Sequence, residues 1–287
     1  MSGRPTDPDG APAFRRIAVG VDRRQGGRDA LALAALLRDV CGAQLAAVYV
    51  YPFDRTVHLD DADALEAVLQ DELHAELEQE LAHAGVTARP VVVSDALPAR
   101  ALQSFAERDG ADLIVVGAPH RAGADRVLGG DVAAGTLRGA PCAVAVAPAG
   151  FAEREPTLDR VGVGFDGSPE SRAALGLGGQ LARAAGAVLR VVSVAAAKVA
   201  EHEAAALAEG GSYEAVAGKP AAELARRSAG LDLLLVGSRA HGPVRRLLLG
   251  STSTQLVREA SCPLLVVPRP VALSVAEGRL ERGAAAE

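Results

Sequence analysis

Tryptophan is absent from these 287 residues, methionine occurs once, and aromatics reach only 3%. Nearly half of the chain is nonetheless apolar. The core must therefore be built from Val, Leu, Ile and Ala, a set that suits parallel strands covered by Ala-rich helices. Cysteine is also scarce, with three residues. That excludes a disulfide framework, and Cys142 and Cys262 read as small core residues beside strands. No apolar run approaches the ~20 residues of a membrane span, and the polar start does not resemble a signal peptide. The expectation is a cytoplasmic protein without a membrane partner. A net charge of −6 and a pI near 5.6 give no general attraction to nucleic acid.

Several motifs are missing as well. No GxxxxGK[ST] occurs, which excludes a P-loop. The six histidines are scattered, and none sits with further ligands at metal spacing, so no metal site is expected. Gly162-Val-Gly164-Phe-Asp-Gly167 spells GxGxxG. Its first glycines, however, lie within an apolar strand. The second strand ends Val192-Ser-Val-Ala-Ala-Ala197 without the acidic residue that a dinucleotide ribose needs.

What the chain does have is an internal repeat. At an offset of 120, Gly237 falls on Gly117, Gly250 on Gly130, Arg258 on Arg138, Cys262 on Cys142 and Pro268 on Pro148. Nearer the start of each half the offset is 144, so Ile17–Asp22 lies over Val161–Asp166. The surplus of the first half falls mostly in residues 57–84. Two copies of one domain account for this. The reading is a tail over 1–14, a domain over 15–150, a second over 157–270 and a tail over 271–287, both tails being disordered. Gly150, Glu153, Glu155 and Pro156 break the pattern at the link, Ala149–Thr157.

Each half alternates strand and helix, so the fold class is α/β with right-handed crossovers. Strands are expected near 16–21, 44–50, 90–94, 112–116 and 142–147, then 160–165, 187–194, 213–217, 231–236 and 263–267. Helices are expected near 169–185, 220–229 and 251–259. Leu65, Leu69, Leu73, Leu77 and Leu81 recur every four residues, an apolar helix stripe for docking on the sheet. Residues 195–212, rich in Ala and Glu, read as a frayed helix or a loop.

The most informative stretch is Gly237-Ser-Arg-Ala-His-Gly-Pro-Val-Arg-Arg-Leu-Leu-Leu-Gly-Ser-Thr252. It leaves the apolar run Leu231–Val236 and enters a helix at Ser251. Glycines there let the backbone approach a bound group, and the helix's first N–H groups favour an anion.

Glycine, two residues, glycine, nine residues, glycine and Ser/Thr after a parallel strand resembles the nucleotide motif of the universal stress protein family. Gly237, Gly250 and Ser251 match it; the middle glycine is Ala240. In the first half the middle position is His120, and Asp131 replaces the serine. A carboxylate at a helix N-terminus satisfies the dipole and repels phosphate, so only the second site reads as intact. Nearly the whole chain carries the resemblance, which identifies it as similar to a tandem universal stress protein. It implies two doubly wound domains, each a five-stranded parallel sheet of order 3-2-1-4-5 flanked by helices (adenine nucleotide alpha-hydrolase-like). It further implies pairing of the fifth strands as an intramolecular pseudo-dimer, with homodimerisation open.

The resemblance also implies ATP as ligand, with Mg2+ as its optional companion. Gly164, Asp166 and Val194 would border the adenine. Gly237, Ser238, Arg239, Ala240, His241 and Gly242 would follow the ribose and phosphates. Gly250, Ser251, Thr252 and Ser253 would hold the phosphates. The same residues have plainer readings: Asp166-Gly-Ser-Pro is strong turn chemistry, and His241 suits an exposed loop equally well. Asp166 is the sole acidic candidate in the crevice and no lysine falls in the loop, so no catalytic residue is assigned. The expected role is an ATP-binding regulatory protein, with a slow ATPase or a nucleotide-independent pairing module as alternatives.

Overall fold

A computed structural model describes residues 12–52, 62–118, 132–194, 211–238 and 250–268. Ten strands form one sheet in the order β3-β2-β1-β4-β5-β10-β9-β6-β7-β8. In the first half these are β1 (Arg16–Val21), β2 (Gln44–Tyr51), β3 (Arg89–Ser94), β4 (Leu113–Gly117) and β5 (Ala143–Ala147). The second half supplies β6 (Arg160–Phe165), β7 (Val188–Val194), β8 (Ser212–Val216), β9 (Leu233–Gly237) and β10 (Leu264–Val267). Every neighbouring pair is parallel except β5 and β10, where Val144 stands opposite Val266 in antiparallel register. Each half thus keeps the order 3-2-1-4-5, and the two fifth strands join the halves edge to edge. That pairing removes two apolar edges that would otherwise attract foreign strands.

The helices are α1 (Gln25–Cys41), α2 (Ala62–His83), α3 (Pro98–Asp109), α4 (Val132–Leu137), α5 (Pro169–Ala185), α6 (Pro220–Ser228) and α7 (Ser251–Glu259). Strand side chains alternate between two faces, and both faces are apolar. On one face Ile17, Val19, Val115, Ala145, Leu265, Leu235 and Val163 meet α1, α5 and the end of α2. On the other Ala18, Ile114, Val144, Val266, Leu234 and Val192 meet α3, α4, α6 and α7. Both layers run unbroken across the β5–β10 seam. The halves therefore share two apolar layers, because strand pairing brings their apolar faces into line.

Three local expectations change. The link at 149–157 contains a 3-10 turn, Phe151–Glu153, whose Phe151 is buried beside α1. Phe14, assigned to the N-terminal tail, is buried in the same layer. On α2 the leucine stripe docks only partly: Leu77 and Leu81 are buried, whereas Leu69 and Leu73 are half-buried. A four-residue spacing overshoots a 3.6-residue turn by roughly 40° each step, so the stripe winds off the sheet. Glu66 takes the buried position near the other end, beside the Tyr51 hydroxyl. Most of 195–212 lies outside the described residues.

Candidate functional site

The carboxyl ends of β6 and β9 lie side by side, with Gly164 registered against Val236. From β9 the chain order runs outward one way, from β6 the other, so this is the point where a doubly wound sheet opens a crevice. Gly164, Asp166, Gly237 and Ser238 belong to these strand ends or their first loop residues. Val194 is buried at the end of β7. Next to it Ser193, also buried, donates its hydroxyl hydrogen bond to the Phe165 carbonyl at 2.8 Å, which ties β7 to the end of β6. Ser238 is fully buried, and its N–H donates to the Val267 carbonyl at 2.8 Å. Arg239, Ala240, His241 and Gly242 lie outside the described residues, as do His120, Gly130 and Asp131.

Asp166 performs the turn role that its sequence context indicates. Its carboxylate accepts from the Ser168 N–H at 3.0 Å, and Gly167 takes a left-handed conformation, φ 77°. Ser168 then caps α5 by accepting from the Ser171 N–H at 3.2 Å, with Pro169 opening the helix. The first half solves the same problem differently. There Asp22 itself reaches the helix end, accepting from Arg24 at 3.1 Å and from Gly27 at 2.8 Å. Its carboxylate is thus committed to α1, while in the second half a serine relieves Asp166 of capping.

The strand-four glycines turn out to serve the protein's own backbone. A side chain at Gly237 would collide with the Glu170 backbone in the first turn of α5. A side chain at Gly117 would collide with Gly26 in the first turn of α1. In both halves glycine admits the first crossover helix against strand four, whatever else it admits. Glu170, buried in the first turn of α5, adjoins Gly237 through its backbone and Cβ. Sequence reasoning missed it because a glutamate in a helix's first turn reads as an exposed, dipole-complementing residue.

At the other side of the crevice, α7 begins at Gly250 (φ −76°, ψ 166°). Among the described residues no side chain caps this turn, and it contains no acidic residue. Space is open around Gly250: a Cβ there would meet nothing within 4 Å among the described residues. Ser251 is exposed and Thr252 half-buried, both compatible with an approaching ligand. Ser253 is buried on the face that carries Leu256, and so packs against the sheet. Thr254 donates its hydroxyl hydrogen bond to the Gly250 carbonyl at 2.9 Å. The turn offers backbone N–H donors and the hydroxyl of the exposed Ser251, the chemistry that holds an anion.

Other groups do not compete for this role. Burial pushes the Cys142 and Cys262 thiols up to about 12 and Cys41 up to about 11, so all three are poor nucleophiles. Among the described residues no cluster of His, Cys, Asp and Glu could hold a metal ion. No described helix is long and apolar enough to cross a membrane. A shallow groove lined by Val91, Val93, Ser94, Phe105, Arg108 and Asp109 lies at the β3 edge, far along the sheet from the crevice.

The fold has solved counterparts. A universal stress protein from Archaeoglobus fulgidus is 22% identical, with 89% of this chain and 98% of that one covered at a TM-score of 0.68. A functionally unknown protein from Pseudomonas aeruginosa PAO1 is 19% identical, covering 90% and 93% at 0.63. A universal stress protein from Pseudomonas aeruginosa UCBPP-PA14, described as putative in name, is 19% identical, covering 89% and 94% at 0.60. At these identities they establish a common architecture. No curated protein matches the chain. The model of the universal stress protein family matches residues 13–148, 157–227 and 208–268, so that both halves of the sheet are covered, and the chain belongs to that family.

Proposed function

We propose that this chain is a regulatory protein that binds one adenine nucleotide, ATP, in the crevice of its second half. The observations that carry this reading are the side-by-side carboxyl ends of β6 and β9 and, on the crossover that follows β9, an α7 N-terminus that no described side chain caps. Gly164, Asp166 and Val194 would border the adenine, and the first turn of α7 would take the phosphates. The donor set fits such a group: N–H groups and the Ser251 hydroxyl, without a carboxylate in that turn. When bound, ATP with Mg2+ supplies the charge that this turn is built to neutralise. In the first half, Asp22 is spent on capping α1, and the sequence has Asp131 at the position that Ser251 holds in the second half. One site per chain is the consequence.

The test is direct. Freshly purified protein is denatured and the released small molecules are separated by ion-exchange chromatography; apo protein is then titrated with ATP and AMP in a calorimeter, with and without Mg2+. Bound or binding adenine nucleotide at one per chain is the expected result. Two equivalent sites, or neither released nucleotide nor heat, would overturn it. In the second case the continuous sheet across β5 and β10 favours the pairing-module reading. Release of inorganic phosphate during long incubation would add slow hydrolysis to binding.

A further inference from the structure

Asp29 is 1% exposed and belongs to no feature of the crevice. It sits in the second turn of α1, and its carboxylate accepts three hydrogen bonds. Two come from the link between the halves: Gly150 N–H at 2.9 Å and Ala152 N–H at 2.8 Å. The third comes from the Gln25 amide at 3.1 Å, and Gln25 is itself held by Arg28 at 2.8 Å. The carboxylate thus caps the 3-10 turn Phe151–Glu153, with Gly150 in a left-handed conformation, φ 75°. Phe151 and Leu158 enter the apolar layer shared by α1 and α5. At the repeat offset the counterpart of Asp29 is Ala173. This carboxylate therefore occurs only in the half that carries the link.

The geometry of the link gives this contact a purpose. Because β5 and β10 are antiparallel, β5 ends at the same margin of the sheet where β6 begins. Only three strand spacings separate them, roughly 14 Å. The connection has twelve residues, 148–159, and could span up to about 40 Å if extended. It is far longer than the distance requires, and docking on Asp29 takes up the slack. Undocked, the connection gains the reach to set the second half against a second chain's first half, which an exchanged dimer requires.

We propose that Asp29 is a latch on the connection: it commits β10 to pair with β5 of its own chain, and its release lets halves exchange between two chains. The latch binds backbone N–H groups, so it is indifferent to the link's side chains. Its effect is on the choice of partner, because the β5–β10 contacts are identical in the closed monomer and the exchanged dimer.

The experiment compares wild-type protein with Asp29→Asn and Asp29→Ala, each unfolded in urea and refolded at high and at low concentration. Size-exclusion chromatography with light scattering measures the dimer, and dilution separates an exchanged dimer, which persists, from a surface dimer, which dissociates. Trypsin reports the latch itself, since Arg154 is exposed beside the docked turn. Both variants are expected to be cut after Arg154 about tenfold faster or more and to yield a persistent dimer after concentrated refolding. Asp29→Asn keeps the shape of the side chain and decides the matter if Asp29→Ala does not fold. Cleavage within about twofold of wild type, or variants that refold to the wild-type proportion of monomer, would overturn the proposal.

Discussion

A Cβ placed on Gly237 would lie 2.5 Å from the carbonyl carbon of Glu170, closer than real atoms approach. The obstacle is helix backbone in the first turn of α5, which cannot swing aside as a flexible side chain can. Gly237→Ala should therefore push α5 off β9 and destabilise the fold by ~1–3 kcal/mol or more. In a domain pair of this size that lowers Tm by roughly 2–4 °C per kcal/mol. Urea and thermal unfolding of the nucleotide-free protein give the answer. Unchanged stability with weakened nucleotide binding would mean that the glycine serves only the ligand.

A second pair repeats across the halves. Asp232, ahead of β9, accepts from the backbone N–H groups of Asp159 and Arg160 at 3.0 and 2.8 Å. Asp112, ahead of β4, accepts from Arg15 and Arg16 at 2.8 and 3.1 Å. Each carboxylate pins the start of strand one to the approach of strand four. Asp232→Ala should cost ~1–3 kcal/mol by stranding those donors and speed amide exchange at Asp159 and Arg160. If exchange there does not change, water has replaced the carboxylate without loss.

The elements were largely legible because strands buried on both faces read as unbroken apolar runs: Leu233–Val236 and Leu264–Val267 are two such runs. The repeat offsets supplied the two-domain organisation, the family resemblance supplied the strand order, and the position of Gly250 marked the start of α7. Contacts made at long range were not legible. Nothing local to Gly237 shows that Glu170, 67 residues earlier in the chain, presses on it. Nothing local to Asp29 shows that its partners are Gly150 and Ala152. A buried acid looks like a surface acid until its donors are known. Ser253 reads as a phosphate ligand by its neighbours in sequence, yet the phase of α7 turns it toward Leu256.

The thiols set an alkaline limit. Desolvation is the largest cause of the raised pKa at Cys41, Cys142 and Cys262, reaching about 11, 12 and 12. An unfolded thiol ionises near pH 8.5. Folding is therefore favoured in full below about pH 8.5, and that share of stability declines as pH rises toward the folded values. Native protein at pH 8 should resist iodoacetamide at all three sites, while urea-unfolded protein reacts promptly. Chevron or equilibrium melts from pH 8 to 11 should show falling stability that a triple Cys→Ser variant loses in part. Rapid labelling of any native thiol would show that it is not shielded.

Val266 is fully buried in the seam opposite Val144. Val266→Asp would place a charge without a partner between the two apolar layers, at a cost of several kcal/mol. The expected outcome is loss of cooperative unfolding, with exposed apolar surface detectable by dye binding. Val266→Thr, similar in shape, should be much milder. A Val266→Asp protein that melts like wild type would mean the strands can part without consequence.

The decisive substitution for the nucleotide site is at Gly250, because there nothing among the described residues demands glycine. Its backbone is extended, at φ −76° and ψ 166°, which valine adopts readily. A Cβ would meet nothing within 4 Å among the described residues. Gly250→Val should therefore cost less than about 1 kcal/mol, the scale of a changed helix cap. If phosphates approach this turn, however, the branched side chain occupies their path, and ATP affinity should fall tenfold or more, about 1.4 kcal/mol. Ser251→Ala is the companion: it deletes one hydroxyl donor but leaves the backbone N–H, so a loss near tenfold is expected, the low end of a hydrogen bond to a charged group. Calorimetry on both variants, beside a melt that verifies their stability, separates the ligand's demands from the fold's. ATP binding that survives Gly250→Val undiminished would remove the first turn of α7 from the site.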